Sequence, residues 1–171
     1  MGKNKKEMQV ELKTNVIRLL EQAKIPYQQY SYGDGEAISG TEVARVLGLK
    51  KEQVFKTLVT EGKSREHYVF VIPVALELNL KKAAKAVGEK SIEMIKSKEL
   101  LPLTGYLHGG CSPIGMKKRF VTVLHETAAQ WETIIFSAGR IGLQVEIKPE
   151  DLKKMVPYTF EDVADNTDTT I

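Results

Sequence analysis

The sequence predicts a single α/β domain, with a mixed sheet curved toward a barrel and helices around it. Three observations lead there. The chain has 171 residues, the length of one ordinary domain. Strand-like and helix-like segments intermix without a regular βαβ beat, and no internal repeat is visible. The composition, 42% hydrophobic and 27% charged, is enough for a core without staples.

The segments follow in order. Residues 1–13 are polar and read as a flexible basic arm. Thr14 is placed to cap a helix over Asn15–Lys24, with Val16, Ile17, Leu20 and Ala23 on one face, and Pro26 forbids continuation. Tyr27–Tyr32 reads as a strand and Gly33-Asp-Gly35 as a turn. Ser39 with Glu42 forms a capping box for a helix through Leu47, stopped by Gly48. Val54–Thr60 and Tyr68–Val74 are strands of a hairpin, joined by a polar turn around Gly62. Asn79 caps Leu80–Val87, closed by Gly88. Ile92–Ile95 is a short strand, and Ser97–Leu101 a short helix ended by Pro102. A glycine-rich loop, Gly105 to Gly115, follows. Phe120–Leu124 and Thr133–Phe136 are β-rich and flank a short helix near Ala128. Leu143, Val145 and Ile147 alternate as in a strand with one exposed face. Pro149 opens a last helix whose early acids and late lysines suit the helix dipole. Residues 165–171 read as a disordered tail, which leaves 14–164 as the folded unit.

Composition narrows the function classes. No apolar run approaches the roughly 20 residues that span a bilayer, so no membrane partnership is expected. The basic N-terminus has no apolar stretch behind it and is not a signal peptide. One cysteine, Cys111, excludes an internal disulfide framework and fits a reducing, cytoplasmic setting. The formal net charge is +3, compatible with a polyanionic partner without establishing one.

Several chemistries fail on spacing. His125-Glu126-Thr-Ala-Ala129 begins like a zinc-protease helix but has alanine at its fifth position. Gly110-Cys-Ser112-Pro-Ile114 matches a nucleophile elbow on one side only. There is no phosphate loop ending in Gly-Lys-Ser/Thr, and His108, Cys111 and His125 do not have a zinc spacing. No metal or cofactor is implied. Cys111 lacks an evident histidine–carboxylate pair and reads as a small packed side chain.

Two features remain. Lys56 shares one face of its strand with Val54 and Leu58, and either face has apolar neighbours. Pattern alone favours an edge-strand lysine that discourages aggregation, or one that snorkels to solvent. The alternative is an anchor for a substrate phosphate or ester carbonyl, since a buried ammonium needs an anion. The loop around Gly109 and Gly110 is composed to expose backbone N–H groups, with Lys117, Lys118 and Arg119 at its exit. It is either a mobile surface loop or an oxyanion or phosphate cradle with a basic rim.

Val-Phe-Lys56-Thr-Leu-Val, the run from Gly105 to Arg119, and Ser137-Ala-Gly-Arg-Ile-Gly-Leu-Gln144 resemble three signature segments of the YbaK/EbsC family. That family includes bacterial Cys-tRNA(Pro)/Cys-tRNA(Cys) deacylases and is related to the editing domain of prolyl-tRNA synthetase. The resemblance runs from about Thr14 to Ala164. It implies a mixed α/β domain with a strongly curved sheet, and a trans-editing deacylase that removes cysteine mischarged on tRNA(Pro). The implied partners are the acceptor end of aminoacyl-tRNA and prolyl-tRNA synthetase. Carried over, Lys56, Gly109 and Gly110 are the catalytic positions, and Tyr32, Thr57, Ser112 and Ser137 bind substrate. Lys117, Lys118 and Arg119 would carry the tRNA. Some relatives have an aromatic residue near Ser39 or an acidic one at Gln144, so these positions bear on amino-acid specificity. The implied chemistry is attack by the substrate's own thiolate. A water-using deacylase for another residue, such as alanine, and a non-catalytic tRNA- or synthetase-binding module are the alternatives.

Overall fold

The computed structural model describes residues 13–32 and 38–166. The arm before residue 13, the expected Gly33-Asp-Gly35 turn and residues 167–171 lie outside them. In chain order the elements are α1 (Asn15–Gln22), β1 (Gln28–Ser31), α2 (Gly40–Leu47), β2 (Phe55–Gly62), β3 (His67–Pro73), β4 (Leu76–Leu78), α3 (Leu80–Val87) and β5 (Ile92–Met94). They continue with α4 (Ser97–Thr104), β6 (Val121–His125), a 3-10 turn (Glu126–Gln130), β7 (Ile134–Arg140), β8 (Leu143–Ile147), α5 (Pro149–Met155), β9 (Tyr158–Glu161) and β10 (Ala164–Asn166).

The capping residues are the ones the sequence proposes, but the Ser39–Glu42 box is only half formed, because the Glu42 carboxylate pairs with Arg45 instead of returning to the Ser39 N–H. Thr14, Ser39 and Asn79 each accept the N–H of the third residue on, and Gly48 and Gly88 end their helices with positive φ. Pro102 does not end its helix, which continues to Thr104. The carbonyl that would have bonded a residue-102 N–H belongs to Lys98, which is exposed, so solvent can satisfy it.

The strands sort into three sheets. One has the order β5-β2-β3-β6-β9, another β1-β8-β7, and β10 pairs with β4. Within the largest, β5, β2 and β3 run antiparallel, while β3, β6 and β9 run parallel. β3 is its spine. Val69 and Val71 face one core with Phe55, Val59, Phe136 and helix α1; Tyr68, Phe70 and Ile72 face a second with Ala83, Ala84 and Val163. A strand buried on both faces reads as an unbroken apolar run, as β3 does.

The expected strongly curved, barrel-like sheet is not formed. Among the described residues no sheet closes: β5 and β9 are free edges of the largest, β1 and β7 of the three-stranded one. Closure would require β2 to continue pairing along β7. Among the described residues these strands meet at one parallel bridge, Val54 to Ile135, with the Ile135 N–H on the Gln53 carbonyl at 3.1 Å. Gln53 Nε2 clamps this junction by donating to the Thr133 carbonyl (2.9 Å) and hydroxyl (3.1 Å). Thr133 and Tyr30 both donate to Glu146, and that hydrogen bond and burial push the Tyr30 phenol up to about 12.

Two further expectations change. β8 has no exposed face, because Gln144 is buried between Tyr30 of β1 and Ser137 of β7. Asp165 and Asn166, assigned to a disordered tail, pair with Glu77 and Leu76. That pairing depends on β4, which three residues of pattern are too short to reveal.

His125 is buried under β9, and its Nδ1 accepts the Val163 N–H at 3.2 Å. Burial holds its pKa below the usual 6.5, against the opposing pull of Asp162 and Glu126. A histidine kept neutral in the fold leaves the unfolded chain as the better proton binder. Stability from this site is therefore present above about pH 6.5 and is lost as pH falls toward the lower folded value. Denaturant melts at pH 7.5 and 5.5 should show a larger acid loss for the native chain than for His125→Gln. Equal losses would place the acid sensitivity elsewhere.

Candidate active site

The divergence of β2 from β7 opens a cleft of about 420 Å³, ordinary for a small-molecule site. Its position follows from backbone alternation. The Val74 N–H reaches the Val54 carbonyl at 2.8 Å, and Pro73, which has no N–H, stands opposite Phe55. Val54, Lys56 and Leu58 therefore turn their peptide groups toward β3, while Phe55, Thr57 and Val59 turn theirs to the outer edge. β5 takes that edge from Thr60 onward, and the Ile95 N–H takes the Val59 carbonyl at 3.3 Å. Between the Val54 bridge and this point, the backbone of Phe55 and Thr57 faces the cleft with no strand beside it among the described residues.

Side chains add to this edge. Lys56 is half-buried, opposite Ile72 on β3, and lines the cleft. The Thr57 hydroxyl is buried and has no hydrogen-bond partner among the described residues. An orphaned buried hydroxyl costs free energy unless something arrives to pair it. Tyr32, Ser137, Gln144 and Gly109 form the opposite wall, and Ser39 the α2 rim. Met94, Ile95, Lys96, Ser97 and His108 also line it, and the sequence reading did not place them there. The sequence had placed Met94 and Ile95 in a strand, Ser97 at a helix start and His108 in the glycine loop, without linking any of them to a site.

The charge of the cleft is one-sided. Among its described lining residues stand Lys56, Lys96 and His108, and no aspartate or glutamate. Neither lysine is in an ion pair among the described residues. The nearby starts of α2 and α4 are already occupied, by the Ser39 hydroxyl and by Glu99 accepting the Lys96 N–H. The lysines thus supply the net charge, and it suits an anion.

The glycine loop is packed from Gly110 to Ile114, while Leu107, His108 and Gly109 are exposed. Tyr106 donates to the Ile114 carbonyl, Ser112 accepts the Ile114 N–H at 3.3 Å, and Cys111 through Ile114 are buried. Gly109 has φ +89°, which a side chain would resist. Gly110 serves packing: a Cβ there would lie 2.9 Å from the Ile141 nitrogen. Its N–H already donates to the Leu107 carbonyl at 2.9 Å. Of the two glycines the sequence singled out, Gly109 lines the cleft and Gly110 supports it. Ser112 stands behind the wall in the same way. Lys117 packs along Gly105, and Lys118 and Arg119 border a different cavity behind the loop.

Cys111 lines the cleft, yet burial pushes its thiol up to about 12, which keeps it protonated. Among the described residues the cleft therefore offers cations, a backbone edge and hydroxyls, and its one thiol is not ionised.

Comparison with known proteins identifies the family. The family model described as the aminoacyl-tRNA editing domain matches residues 36–155. EbsC of Enterococcus faecalis, named as a Cys-tRNA(Pro)/Cys-tRNA(Cys) deacylase, is 47% identical over 152 residues, covering 88% of this chain and 93% of that one. A proline–tRNA ligase of Pelobacter propionicus is 33% identical over 82 residues, 48% of this chain and 14% of the ligase. Two solved structures share the fold at 21% identity. The hypothetical protein APE2540 has a TM-score of 0.81, covering 89% of this chain and all of its own. A protein named as a trans-editing enzyme for prolyl tRNA synthetase has a TM-score of 0.75, covering 91% and 99%. Among the described residues no helix is long and apolar enough to cross a membrane. With the family model spanning most of the chain and a near-full-length relative at 47% identity, the chain belongs to the aminoacyl-tRNA editing domain family.

Proposed function

We propose that this chain is a trans-editing deacylase that clears cysteine from mischarged tRNA(Pro). The observation that carries the reading is a cationic cleft, built on an open strand edge, with no ionised nucleophile or described carboxylate. The name and near-full coverage of the Enterococcus relative support the substrate class. The local likeness to a proline–tRNA ligase supports the link to that synthetase's tRNA.

An aminoacyl ester is already activated, so positioning and oxyanion stabilisation suffice for its cleavage. The Lys56 ammonium holds the anionic end of the terminal nucleotide or the ester oxygen. The Gly109 backbone takes the developing oxyanion, and Gly110 keeps that turn against Arg140–Ile141. Thr57, through its orphaned hydroxyl and edge peptide, orients the aminoacyl group between Tyr32 and Ser137. The nucleophile is the substrate's own sulfur. Its thiolate attacks the ester carbonyl, a C–S bond forms, and the C–O bond to the ribose breaks. The thiol proton ends on the ribose hydroxyl, and a cyclic thioester leaves, later hydrolysed by water. A thiol with pKa about 8.5 is a few per cent ionised at neutral pH and strongly nucleophilic.

One observation favours a water-using deacylase instead: His108, an exposed imidazole on the cleft rim, is placed to accept a proton from water. Purified protein assayed on Cys-, Ala- and Ser-tRNA(Pro) separates the two. Substrate assistance predicts far faster clearance of the cysteinyl ester, and no turnover once its thiol is alkylated. Rapid clearance of Ala-tRNA(Pro), or direct release of cysteine carrying solvent oxygen, would sink it.

Lys56→Ala should lower activity at least ~100-fold, on the scale of losing one oxyanion or phosphate donor, with the fold intact. Lys56→Arg should fail too, because the guanidinium is wider and planar. Activity near normal in Lys56→Ala would return this lysine to a solubility role. Cys111→Ala should keep deacylation within a few-fold. A loss of a thousand-fold, about 4 kcal/mol of barrier, would make the enzyme thiol the attacking group.

A further inference from the structure

The open edge of β2 has two ends of different character. At one, the Val54–Ile135 bridge closes the wedge between the sheets. At the other, the Ile95 N–H bonds the Val59 carbonyl at 3.3 Å and the chain turns off into α4. From Val54 to Val59 the edge runs about 17 Å at the ordinary strand rise. Lys96 stands at its far end, in the corner between β5 and α4. It is exposed, lines the cleft, and forms no ion pair among the described residues. The Glu99 carboxylate is held on the Lys96 N–H at 3.3 Å and not on its ammonium. Met94, 46% exposed, lines the same corner.

We infer that Lys96 binds the phosphate on the 5′ side of the terminal nucleotide, with Met94 as apolar ground for the ribose or base that carries it. The inference rests on the deacylase reading, which puts the aminoacyl ester among Gly109, Thr57 and Ser137. Ser137 is two residues along β7 from the bridging Ile135, so the aminoacyl group lies toward the closed end of the wedge. The rest of the RNA has to leave by the open end, and the terminal phosphate is the first charge on that way out. Of the two lysines in the cleft, Lys56 is half-buried within the edge and Lys96 is the one at the exit. An exposed ammonium keeps part of its hydration while it pairs, so the contact avoids the desolvation cost of a buried pair. Among the described lining residues no carboxylate competes for it. Lys98, two residues further on, is also exposed but does not line the cleft. Position, and not the general charge of this corner, therefore singles out Lys96.

Two non-cleavable analogues of the substrate end, titrated calorimetrically into the full chain, test the assignment. One is 3′-cysteinylamino-3′-deoxyadenosine with a 5′-methylphosphate, which carries the single negative charge of an RNA linkage. The other is the same amide with a free 5′-hydroxyl. The wild-type chain should bind the phosphate form about ten-fold more tightly, the scale of one hydrogen bond to a charged group. Lys96→Ala should reduce that preference to about two-fold or less, the remainder coming from more distant, screened charges. Lys98→Ala removes an equal charge outside the cleft and should keep the preference. Thermal melts establish that both variants are folded. A preference that survives in Lys96→Ala, or falls equally in Lys98→Ala, would overturn the assignment even if the chain clears Cys-tRNA(Pro). So would a wild-type chain that binds both analogues alike or neither. The expected pattern in a chain that cleaves no aminoacyl-tRNA would instead sink the deacylase reading and leave the phosphate site standing.

Discussion

Everything at the site depends on one junction, where β2 touches β7 and then leaves it. The Val54–Ile135 bridge and the Gln53–Thr133 hydrogen bonds fix the two sheets at the base of a wedge. Above the base, β7 and β2 separate, and the peptide groups of Phe55 and Thr57 have no strand to bond among the described residues. An open edge inside a fold is expensive if dry and useful if a ligand pairs it. A closed barrel would have satisfied these groups internally and left no cleft. The lack of closure and the presence of a site are thus one structural fact.

The glycine loop forms the other wall, and it is stiff for reasons that lie outside the cleft. Gly139 sits in an irregular stretch of β7 at φ +93°, and a Cβ there would crowd Tyr106 and Val16 at 3.0 Å. The absence of that Cβ lets the Tyr106 ring lie against β7, from where its hydroxyl holds the Ile114 carbonyl. Thr14, the cap of α1, donates to the Ala138 carbonyl at 2.6 Å and ties the same region to the first helix. The segment from Tyr106 to Ile114 that carries Gly109 is therefore anchored by packing two layers away, as the proposed oxyanion role of Gly109 would require.

Local chemistry was legible in the sequence wherever one residue decides it. Thr14, Ser39, Asn79, Gly48 and Gly88 end helices where their side chains or φ demand it. Val54–Thr60 and Tyr68–Val74 were legible as a hairpin, and the structure adds that the second of these strands is covered on both faces. Pairing beyond the hairpin was not legible, because alternation says which face a residue takes and not which strand lies beside it. That is why the curved sheet was expected, and why β4 and β10 went unseen. The site divides the same way. Lys56, Thr57, Gly109, Tyr32 and Ser137 meet in one cleft, although they are spread over more than a hundred residues. Gly110 and Ser112 share the motif's composition but serve its packing. Met94 to Ser97 carry no motif at all and reach the cleft because β5 pairs with the far end of β2.

The charge of the cleft joins binding to chemistry. Lys56 and Lys96 face a space with no described carboxylate, so their field acts on whatever enters. A field that attracts a nucleotide phosphate also favours ionisation of a thiol held nearby, since an opposite charge within a few ångströms stabilises the charged form. A cysteinyl ester bound there would gain thiolate without any protein base. Alanyl and seryl esters would share the lysine contacts to phosphate and ester oxygen but bring no thiol for the lysines to ionise. Interactions that strengthen ground state and transition state equally do not accelerate a reaction, whereas a nucleophile ionised by the site does. Selectivity in such a cleft arises from which substrate carries an ionisable group to the lysines, more than from how tightly its walls fit a side chain.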